Sequence, residues 1–199
     1  MCGRYLFDPL SGELDEYWQI ISNVKNKLKE KDKRQSIASG EVYPSQNVFI
    51  LGSNRNGGIV AGSAKWGFHN YDNGRLLINA RSETVLEKSL FKTPFRSSRC
   101  VFIMNGFYEW DDSKDKYFFS NEEGPVYVGG FCRTNIQDGD NSVESIILTT
   151  KANDSVSSIH DRMPLIISPN DIREWLLNTD FAHKYLSKNM KQLSAKKVS

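Results

Sequence analysis

Short segments of apolar residues dominate the chain from residue 47 onward. In NVFILGSNRNGGIVAGSAKW, two such runs flank Asn56, Gly57 and Gly58, a combination typical of a β-hairpin. Further strands, separated by polar turns, are predicted in RLLINAR, RCVFIMNGFYEW, KYFFS, PVYVGGFC and VESIILTT. We therefore expect most of the chain to form a sheet with mainly antiparallel neighbours.

Two segments show helical periodicity instead. Between residues 12 and 33, apolar side chains recur at helical spacing and form one stripe, which predicts an amphipathic helix. A second helix is predicted at SPNDIREWLL, where Ser168 is the cap, Pro169 the first helical residue and Asp171 an acid in the first turn. The lysine-rich C-terminal end of the chain is predicted to fray.

These elements predict a single α+β domain, built on a curved, mostly antiparallel, barrel-like sheet flanked by a few helices. The domain is expected to cover residues 1–187, and residues 188–199 form a polar, basic tail. The sequence contains no internal repeat and no linker. At 199 residues the chain can bury a substantial core, and we expect a monomer.

Composition narrows the class of protein. Apolar residues make up 39% and charged residues 25% of the chain, which is typical of a globular protein. No apolar run is long enough to span a bilayer and the first residues lack an apolar signal core, so we expect a cytoplasmic protein with no membrane partner. Three widely spaced cysteines predict reduced thiols and neither a disulfide framework nor a zinc site. The net charge of +2 neither requires nor excludes nucleic acid.

Two predicted strands place polar side chains on one face. In RLLINARSET, the two-residue period puts Asn79 and Arg81 on the same side, where they could hold a sugar oxygen beside a phosphate or simply face solvent. In MNGFYEW, Glu109 lies between aromatic residues. In a central strand, burial would raise the pKa of Glu109 toward a range useful for proton transfer, whereas in an edge strand the carboxylate would face water.

Two loop segments carry further candidates. In IHDRMP, an acid and Arg162 directly follow His160 in a loop that a proline stiffens, which suits proton transfer and phosphate binding, although isolated histidines are usually structural. In KWGFHN, Trp66 and Phe68 lie beside a lysine. Aromatic rings with neighbouring cations can stack on the bases of single-stranded nucleic acid, but such a pair is more often part of a core.

The opening MCGRY places a cysteine at position 2. If Met1 is removed, the Cys2 thiol and the new α-amine lie on adjacent carbons as a 1,2-aminothiol. An α-amine has an unperturbed pKa of about 8, against about 10.4 for lysine, so a useful fraction is unprotonated at neutral pH. Such an amine can condense with an aldehyde, and the adjacent thiol can then close a five-membered ring on the same carbon.

The motifs MCGRY, NARSET, GFYEW and HDRMP, in this order and at these separations, resemble those of the SOS response-associated peptidase (SRAP) family, and the resemblance extends from Cys2 to about Trp175. The resemblance implies that Met1 is removed, that the protein's own peptidase activity removes it, and that the protein recognises abasic sites in single-stranded DNA. It further implies a covalent thiazolidine crosslink between Cys2 and the abasic sugar, which shields the lesion. No cofactor or metal is implied, and the expected location is the bacterial cytoplasm, in association with the nucleoid.

The resemblance also implies roles for individual residues. Cys2 would be the nucleophile, Asn79 would position the terminus or the sugar, and Glu109 and His160 would transfer protons. Phosphates near the lesion would be bound by the arginines of the same motifs, Arg4, Arg81 and Arg162. The chain departs from the family at Phe68, where an aliphatic residue is common, and before GFYEW, where IMN replaces a segment often containing Pro and Ala. Trp66 and Phe68 are the candidates for stacking on DNA bases, but the departure at Phe68 leaves the identity of the stacking residue undecided.

Two other classes of function are compatible with part of the pattern. Glutamine amidotransferases also begin with Met-Cys-Gly and use the cysteine thiol with its own α-amine as base, so an amidohydrolase that releases ammonia is one alternative. A noncovalent nucleic-acid-binding module, in which Cys2 is incidental, is another. Only the crosslinking hypothesis predicts an adduct with abasic DNA that survives denaturation.

Overall fold

A computed structural model describes residues 2–8, 20, 37–70, 74–137 and 140–198. Of the helix predicted over residues 12–33, it describes only Ile20, so that prediction lies outside the described residues. The described helices are α1 (Ser89–Ser97), α2 (Ile172–Leu177) and α3 (Thr179–Tyr185). The described strands are β1 (Tyr5–Phe7), β2 (Gly40–Val42), β3 (Asn47–Ser53), β4 (Ile59–Trp66), β5 (Phe68–Asn70), β6 (Arg75–Leu77), β7 (Asn79–Arg81), β8 (Arg99–Met104), β9 (Gly106–Trp110), β10 (Lys116–Ser120), β11 (Val126–Gln137), β12 (Asp140–Lys151), β13 (Arg162–Pro164) and β14 (Ser194–Val198).

The strands form two large sheets and one small one. In the larger sheet the order is β11-β8-β3-β4-β12-β13, and the additional pairing of β11 with β12 closes five of these strands into a ring. The second sheet has the order β14-β10-β9-β1-β2, and β5 pairs with β6 alone. Only the pairings of β12 with β4 and with β7 are parallel among the described strands. The predicted α+β domain with a mostly antiparallel, barrel-like sheet is therefore confirmed.

The predicted hairpin is confirmed: β3 and β4 are antiparallel neighbours, joined by a turn through residues 54–58. The helix predicted at SPNDIREWLL is also present, as a 3₁₀ turn, Pro169–Asp171, followed by α2. The Ser168 side chain makes no capping hydrogen bond there, so only its backbone occupies the cap position.

Two segments predicted as continuous strands are each divided between sheets. RLLINAR breaks at Ile78, whose carbonyl accepts hydrogen bonds from the Trp66 indole Nε1 at 3.1 Å and the Ile147 amide at 3.2 Å. Before this break, β6 pairs with β5, and after it β7 pairs with β12. RCVFIMNGFYEW breaks at Asn105, where the chain passes from β8 in the ring to β9 in the second sheet. The second break carries Glu109 from the ring to the other sheet.

Close backbone packing explains the glycine at this crossing. A Cβ atom on Gly106 would lie 2.3 Å from the Phe119 carbonyl oxygen and 2.5 Å from the Phe118 ring, which is closer than real contacts allow. Any larger side chain would therefore push β9 and β10 apart. Gly106 fixes the start of β9, the strand that holds Glu109.

The buried Arg99 guanidinium ties two helices to the ring. Its Nε donates to the Trp175 carbonyl at 2.7 Å and its Nη1 donates to the Phe95 and Arg96 carbonyls at 3.1 and 2.8 Å. These carbonyls lie toward the C-terminal ends of α1 and α2, where a cation is favoured by the helix dipole. Burial lowers the pKa of Arg99, and the carbonyl contacts compensate for its desolvation.

The prediction that the C-terminal end frays is wrong. β14 pairs antiparallel with β10 over its whole length, as an added edge strand of the second sheet. Before it, the Asn153 side-chain Nδ2 donates to the Met190 and Lys191 carbonyls at 3.1 and 2.9 Å, and the Met190 side chain is buried. Backbone pairing and one buried methionine offset the high lysine content of this segment. The domain boundary at residue 187 stays a prediction.

Candidate active site

Strand β12 brings together two motifs that are far apart in the sequence. Thr149 on β12 pairs with Arg81 of β7 on one side and with Pro164 of β13 on the other. The NARSET and HDRMP segments therefore flank the same stretch of β12. GFYEW reaches this region from the second sheet, as β9.

The position of Cys2 follows from the pairing of β1 with β9. Tyr5 is opposite Phe107, and the Tyr108 amide donates to the Arg4 carbonyl at 2.9 Å, so residues 2–4 continue alongside the end of β9. Cys2 has no exposed surface, and its Sγ lies 4.0 Å from the Arg4 carbonyl oxygen. Burial, and secondarily the negative charge of Glu109, raise the pKa of the Cys2 thiol far above its ordinary value. The thiol is therefore protonated at neutral pH.

Asn79 holds the backbone of Cys2. Its side-chain Nδ2 donates to the Cys2 carbonyl at 2.9 Å, which joins β7 to the beginning of the chain across 77 residues. The Asn79 Oδ1 is buried and has no hydrogen-bond partner among the described residues. Asn79 thus fixes the terminus and leaves an acceptor available beside it, whereas Arg81 on the same strand is exposed.

Glu109 is buried, with 3% of its surface exposed. Strand β9 lies between β10 and β1, so the alternative of an exposed edge strand is excluded. Burial raises the pKa of Glu109, and the His160 imidazole acts in the opposite direction. The carboxylate is accordingly placed to take up and return a proton nearer to neutral pH than an exposed glutamate.

His160 faces this carboxylate. Its Nε2 lies 4.0 Å from the Glu109 Oε2, and its Nδ1 accepts a hydrogen bond from the Arg162 amide at 2.9 Å. In the neutral ring this bond assigns the proton to Nε2, on the side of Glu109. The Asp161 carboxylate lies 3.0 Å from Nδ1. The His160 imidazole and the Glu109 carboxylate thus face each other in the site.

The Arg162 guanidinium is held by a bidentate ion pair. Its Nη1 and Nη2 donate to the two Glu83 carboxylate oxygens at 2.6 and 2.8 Å, and Nη2 also donates to the Thr149 carbonyl at 2.8 Å. The Arg162 Nε is buried without a partner among the described residues. Arg162 is therefore held in one orientation, with its buried Nε–H still available as a donor.

Arg4 lies between two aromatic rings that local sequence pattern did not single out. Its guanidinium carbon is 4.4 Å from the centre of the Tyr43 ring and 5.0 Å from that of Trp110. The Tyr43 side chain is exposed and Trp110 is half-buried. Trp110 lies within the GFYEW motif, but its contact with Arg4 depends on the pairing of β1 with β9, and nothing local to Tyr43 marked it.

The prediction that Trp66 and Phe68 stack on bases is wrong. Both side chains have 0% exposure. Trp66 packs against the Tyr5 ring and Phe68 against the Phe131 ring, with ring centres 5.3 and 5.6 Å apart. The alternation of apolar residues in β4 and β5 turns both rings into the core, where no base can reach them.

Two further properties bear on the class of site. Within the described ranges, no group of three or more His, Cys, Asp or Glu side chains is arranged to hold a metal ion. None of the helices in the described part of the chain has the length and apolar character that a membrane span requires.

Two similar proteins of known name are both abasic site processing proteins. The abasic site processing protein YoqW of Bacillus subtilis is 32% identical over 197 residues, with 90% of this chain and 83% of that protein covered. The abasic site processing protein YedK of Escherichia coli is 28% identical over 181 residues, covering 88% of this chain and 79% of that protein.

Solved structures share the fold. A protein from Bacteroides thetaiotaomicron superposes with a TM-score of 0.77 at 17% identity, covering 100% of this chain and 92% of that one. A protein from Bordetella bronchiseptica gives a TM-score of 0.75 at 16% identity, with both chains covered completely. The sequence model of the family described as SOS response associated peptidase (SRAP) matches residues 1–199. With its four motifs gathered around Cys2, the chain belongs to the SRAP family.

Proposed function

We propose that this protein binds abasic sites in single-stranded DNA and crosslinks to them through the α-amine and thiol of Cys2, after removal of Met1. The product is a thiazolidine that shields the lesion from strand cleavage. The observation that carries the proposal is the hydrogen bond from Asn79 to the Cys2 carbonyl, with Glu109 close enough to influence the thiol. The names of the relatives YoqW and YedK, abasic site processing proteins, support the same substrate.

Unpartnered polar atoms on three of the proposed site residues support a bound ligand. Among the described residues, the buried Asn79 Oδ1, Arg4 Nε and Arg162 Nε have no hydrogen-bond partner. Buried polar atoms are normally satisfied, so several of them on the residues of one site are expected where a ligand supplies the missing partners. Two donors on cationic side chains suit phosphate oxygens, and an amide acceptor suits a sugar hydroxyl or an amine.

The first chemical step joins nitrogen to the sugar. The Cys2 amine attacks the C1′ aldehyde of the ring-opened abasic sugar, and loss of one water gives an imine. His160 assists ring opening by proton transfer to and from the sugar oxygens, and Glu109 accepts and returns the protons of the amine and the departing water. The Asn79 hydrogen bond keeps the terminus in the attacking position.

The second step closes the ring. The Cys2 sulfur forms a bond to the imine carbon, the S–H bond breaks, and the proton passes through Glu109 to the nitrogen, so no atom is gained or lost. Because burial keeps the thiol protonated, this transfer needs a nearby base. Ring closure is intramolecular, with effective molarities of roughly 10⁵ M or more for well-oriented groups, and an opened ring closes again. Rapid capture of the imine also suppresses β-elimination, the lyase-like reaction that would cut the strand.

DNA binding is proposed to rest on phosphate contacts and stacking, because an abasic site offers no base to read. Arg4, Arg81 and Arg162 are the proposed phosphate ligands, with Arg162 already oriented by Glu83. Exposed Tyr43 and half-buried Trp110 replace Trp66 and Phe68 as the rings on which neighbouring bases stack.

The same residues are proposed to remove Met1. Hydrolysis adds one water to the Met1–Cys2 peptide bond and releases methionine and the free Cys2 amine, with Glu109 as the base. Imine formation needs a free Cys2 amine, so this step precedes crosslinking. A chain made with Met1 and incubated without any aminopeptidase should lose the mass of one methionine residue, and Glu109→Gln should retain Met1. Retention of Met1 by both proteins would assign the removal to another enzyme.

Intact-mass spectrometry tests the crosslinking proposal. Protein lacking Met1 is incubated with a uracil-containing single strand pretreated with uracil-DNA glycosylase. The expected product has the mass of protein plus DNA minus one water and survives denaturation. The untreated uracil strand and the Cys2→Ala variant are the controls, and neither should give this product. Absence of the adduct from protein with a free Cys2 amine would refute the proposal.

A further inference from the structure

A cavity is lined in part by Glu83, the residue that holds Arg162. Its volume is about 700 Å³, within the range of small-molecule sites. It is bounded by the 3₁₀ turn Ser82–Thr84, the end of β12 and the segment that follows α3. Neither the proposed chemistry nor the phosphate contacts use it.

Two residues that line this cavity each carry a buried polar atom without a hydrogen-bond partner. Ser82 is 3% exposed, and neither its Oγ nor the buried His183 Nε2 has a hydrogen-bond partner among the described residues. The His183 ring is stacked on Phe95, with centres 5.8 Å apart and planes inclined by 14°, so its orientation is fixed by packing. A hydroxyl and an imidazole nitrogen together can both donate and accept.

Two other polar side chains of the wall already have partners. The Ser187 Oγ, in the same cavity, donates to the Lys184 carbonyl at 3.2 Å. The Asn153 side chain bonds to the Met190 and Lys191 carbonyls and to Ser155. Among the buried side-chain atoms that the structure describes in this wall, only the Ser82 Oγ and the His183 Nε2 lack a partner.

The remaining lining indicates the kind of ligand. Apolar side chains of Leu86, Leu186 and Met190 form part of the wall and suit a flat ring. The charged side chains in the lining are two acids and two lysines: Glu83, Asp154, Lys151 and Lys188. Glu83 is paired to Arg162 and Lys188 to Asp171. Because these charges cancel, the wall has no net charge, which favours a neutral ligand over a phosphate. We infer that this cavity binds a nucleobase, whose edge carries adjacent donors and acceptors for Ser82 and His183.

The location links the cavity to DNA, and this link rests on the proposed function. Asn79, which holds Cys2, and Glu83, which lines the cavity, are four residues apart, a span of at most about 14 Å along the chain. Glu83 also holds Arg162, one of the proposed phosphate ligands. An undamaged base a few nucleotides from the lesion can therefore reach the cavity while the abasic sugar is at Cys2. A free nucleotide presents the same ring, so a test has to separate the two sources.

Fluorescence of 2-aminopurine, which rises when this base leaves its stack, tests the inference. Abasic single strands carry it one, two or three nucleotides to either side of the lesion and are titrated with the whole protein. We expect a rise at one position, with the apparent affinity of that rise weakened roughly twofold to tenfold by Ser82→Ala or His183→Phe. Ser187→Ala, which removes a hydroxyl that already has a partner, is the matched control and should behave as wild type.

A second arm uses free deoxynucleoside monophosphates, followed by NMR shifts of residues 82–86 and 183–190. Shifts that Ser82→Ala weakens identify a free nucleotide as ligand, and a fluorescence rise without such shifts identifies a base of the strand. Crosslink yield on the same strands reports the proposed function separately, and the free-nucleotide arm still tests the cavity if no crosslink forms. Thermal unfolding checks each variant, and Ser82→Ala decides alone if His183→Phe does not fold. No signal that depends on Ser82 in either arm overturns the inference.

Discussion

At the scale of single residues, burial controls the reactivity of the two groups closest to the proposed reaction. Burial raises the pKa of the Cys2 thiol and of the Glu109 carboxyl, so the nucleophile keeps its proton and the base binds one more readily. The two effects are complementary. A protonated thiol does not oxidise readily, and a carboxylate of raised pKa is better matched to proton transfer at neutral pH.

Replacing Cys2 by serine separates the two steps of the reaction. Cys2→Ser keeps the α-amine but offers a poor nucleophile for ring closure, so we expect an imine that borohydride traps. The denaturation-resistant adduct formed without reductant should fall by about tenfold or more. Denaturing gels with and without borohydride measure both products. A durable adduct of wild-type yield from Cys2→Ser would contradict ring closure by sulfur.

Replacing Glu109 by glutamine should slow crosslinking by roughly 10²-fold, the usual contribution of a general base. Below the raised pKa of Glu109, the wild-type rate should fall with pH both because the carboxylate is protonated and because the α-amine is protonated. Glu109→Gln retains only the second dependence. Single-turnover rates across pH should therefore give a steeper acid limb for wild type, and equal slopes would exclude Glu109 as the base.

Stability supplies the control for this variant. A carboxyl whose pKa is raised by folding stabilises the protein at low pH, and this contribution is lost as pH rises through the raised value. Glutamine mimics the protonated form, so Glu109→Gln should be at least as stable as wild type at pH 7 in urea unfolding. A slow but stable variant assigns the loss of rate to chemistry.

Residue type and spacing were sufficient to identify Cys2, Asn79, Glu109 and His160 as candidates, and the fold brings all four together. Residue type and spacing did not identify which aromatic rings are exposed for stacking. Trp66 and Phe68 are aromatic residues beside a lysine, but both face the core. Whether a ring faces solvent depends on which sheet face is covered, and that is a property of tertiary packing.

At the scale of elements, the strand breaks are the features that local pattern could not predict. The apolar residues of RCVFIM run on into GFYEW and predict one strand, but the chain changes sheets at Asn105. There the Asn105 amide donates to the Leu6 carbonyl, and the Asn105 Oδ1 accepts a hydrogen bond from the Asp8 amide. Strand β14 is the converse case, because pairing with β10 orders a segment whose composition predicts fraying. In both cases a partner distant in sequence decides the structure.

The crossing into β9 should be sensitive to added volume. Gly106→Ala would place a Cβ 2.3 Å from the Phe119 carbonyl, so we expect a loss of about 1–3 kcal/mol in unfolding free energy. Gly62→Ala is the matched control, since a Cβ there meets nothing within 4 Å and should change stability by less than about 0.5 kcal/mol. Urea unfolding of both variants measures the difference. Equal stability would show that β9 and β10 can separate without cost.

At the scale of the whole molecule, the candidate site lies where two sheets meet. The ring contributes β12 with its neighbours β7 and β13, and the second sheet contributes β1 and β9. Each sheet alone holds an incomplete set: Asn79 and His160 come with the ring, and Cys2 and Glu109 with the second sheet. Relative movement of the sheets would therefore separate the nucleophile from the residue that positions it.

The net charge of +2 is too small to attract DNA by itself, so binding must depend on a few local cations. Removing one cation that neutralises a phosphate should reduce the slope of log affinity against log salt by about 0.7 for a single strand. Arg81→Ala should therefore weaken binding to abasic single strands and lower this slope by about 0.7, with the crosslinking rate at saturating DNA unchanged.

Arg55 provides the control for this measurement, because it lies at the other end of the ring. Strand β4 runs parallel to β12, and Lys65 near the end of β4 is opposite Glu144. Arg55 lies in the turn before β4 begins, whereas Arg81 pairs with Thr149, which is further along β12 than Glu144. A salt series by fluorescence anisotropy should give Arg55→Ala the wild-type slope. If the two variants show the same slope, the cation at position 81 acts through the overall charge and makes no phosphate contact.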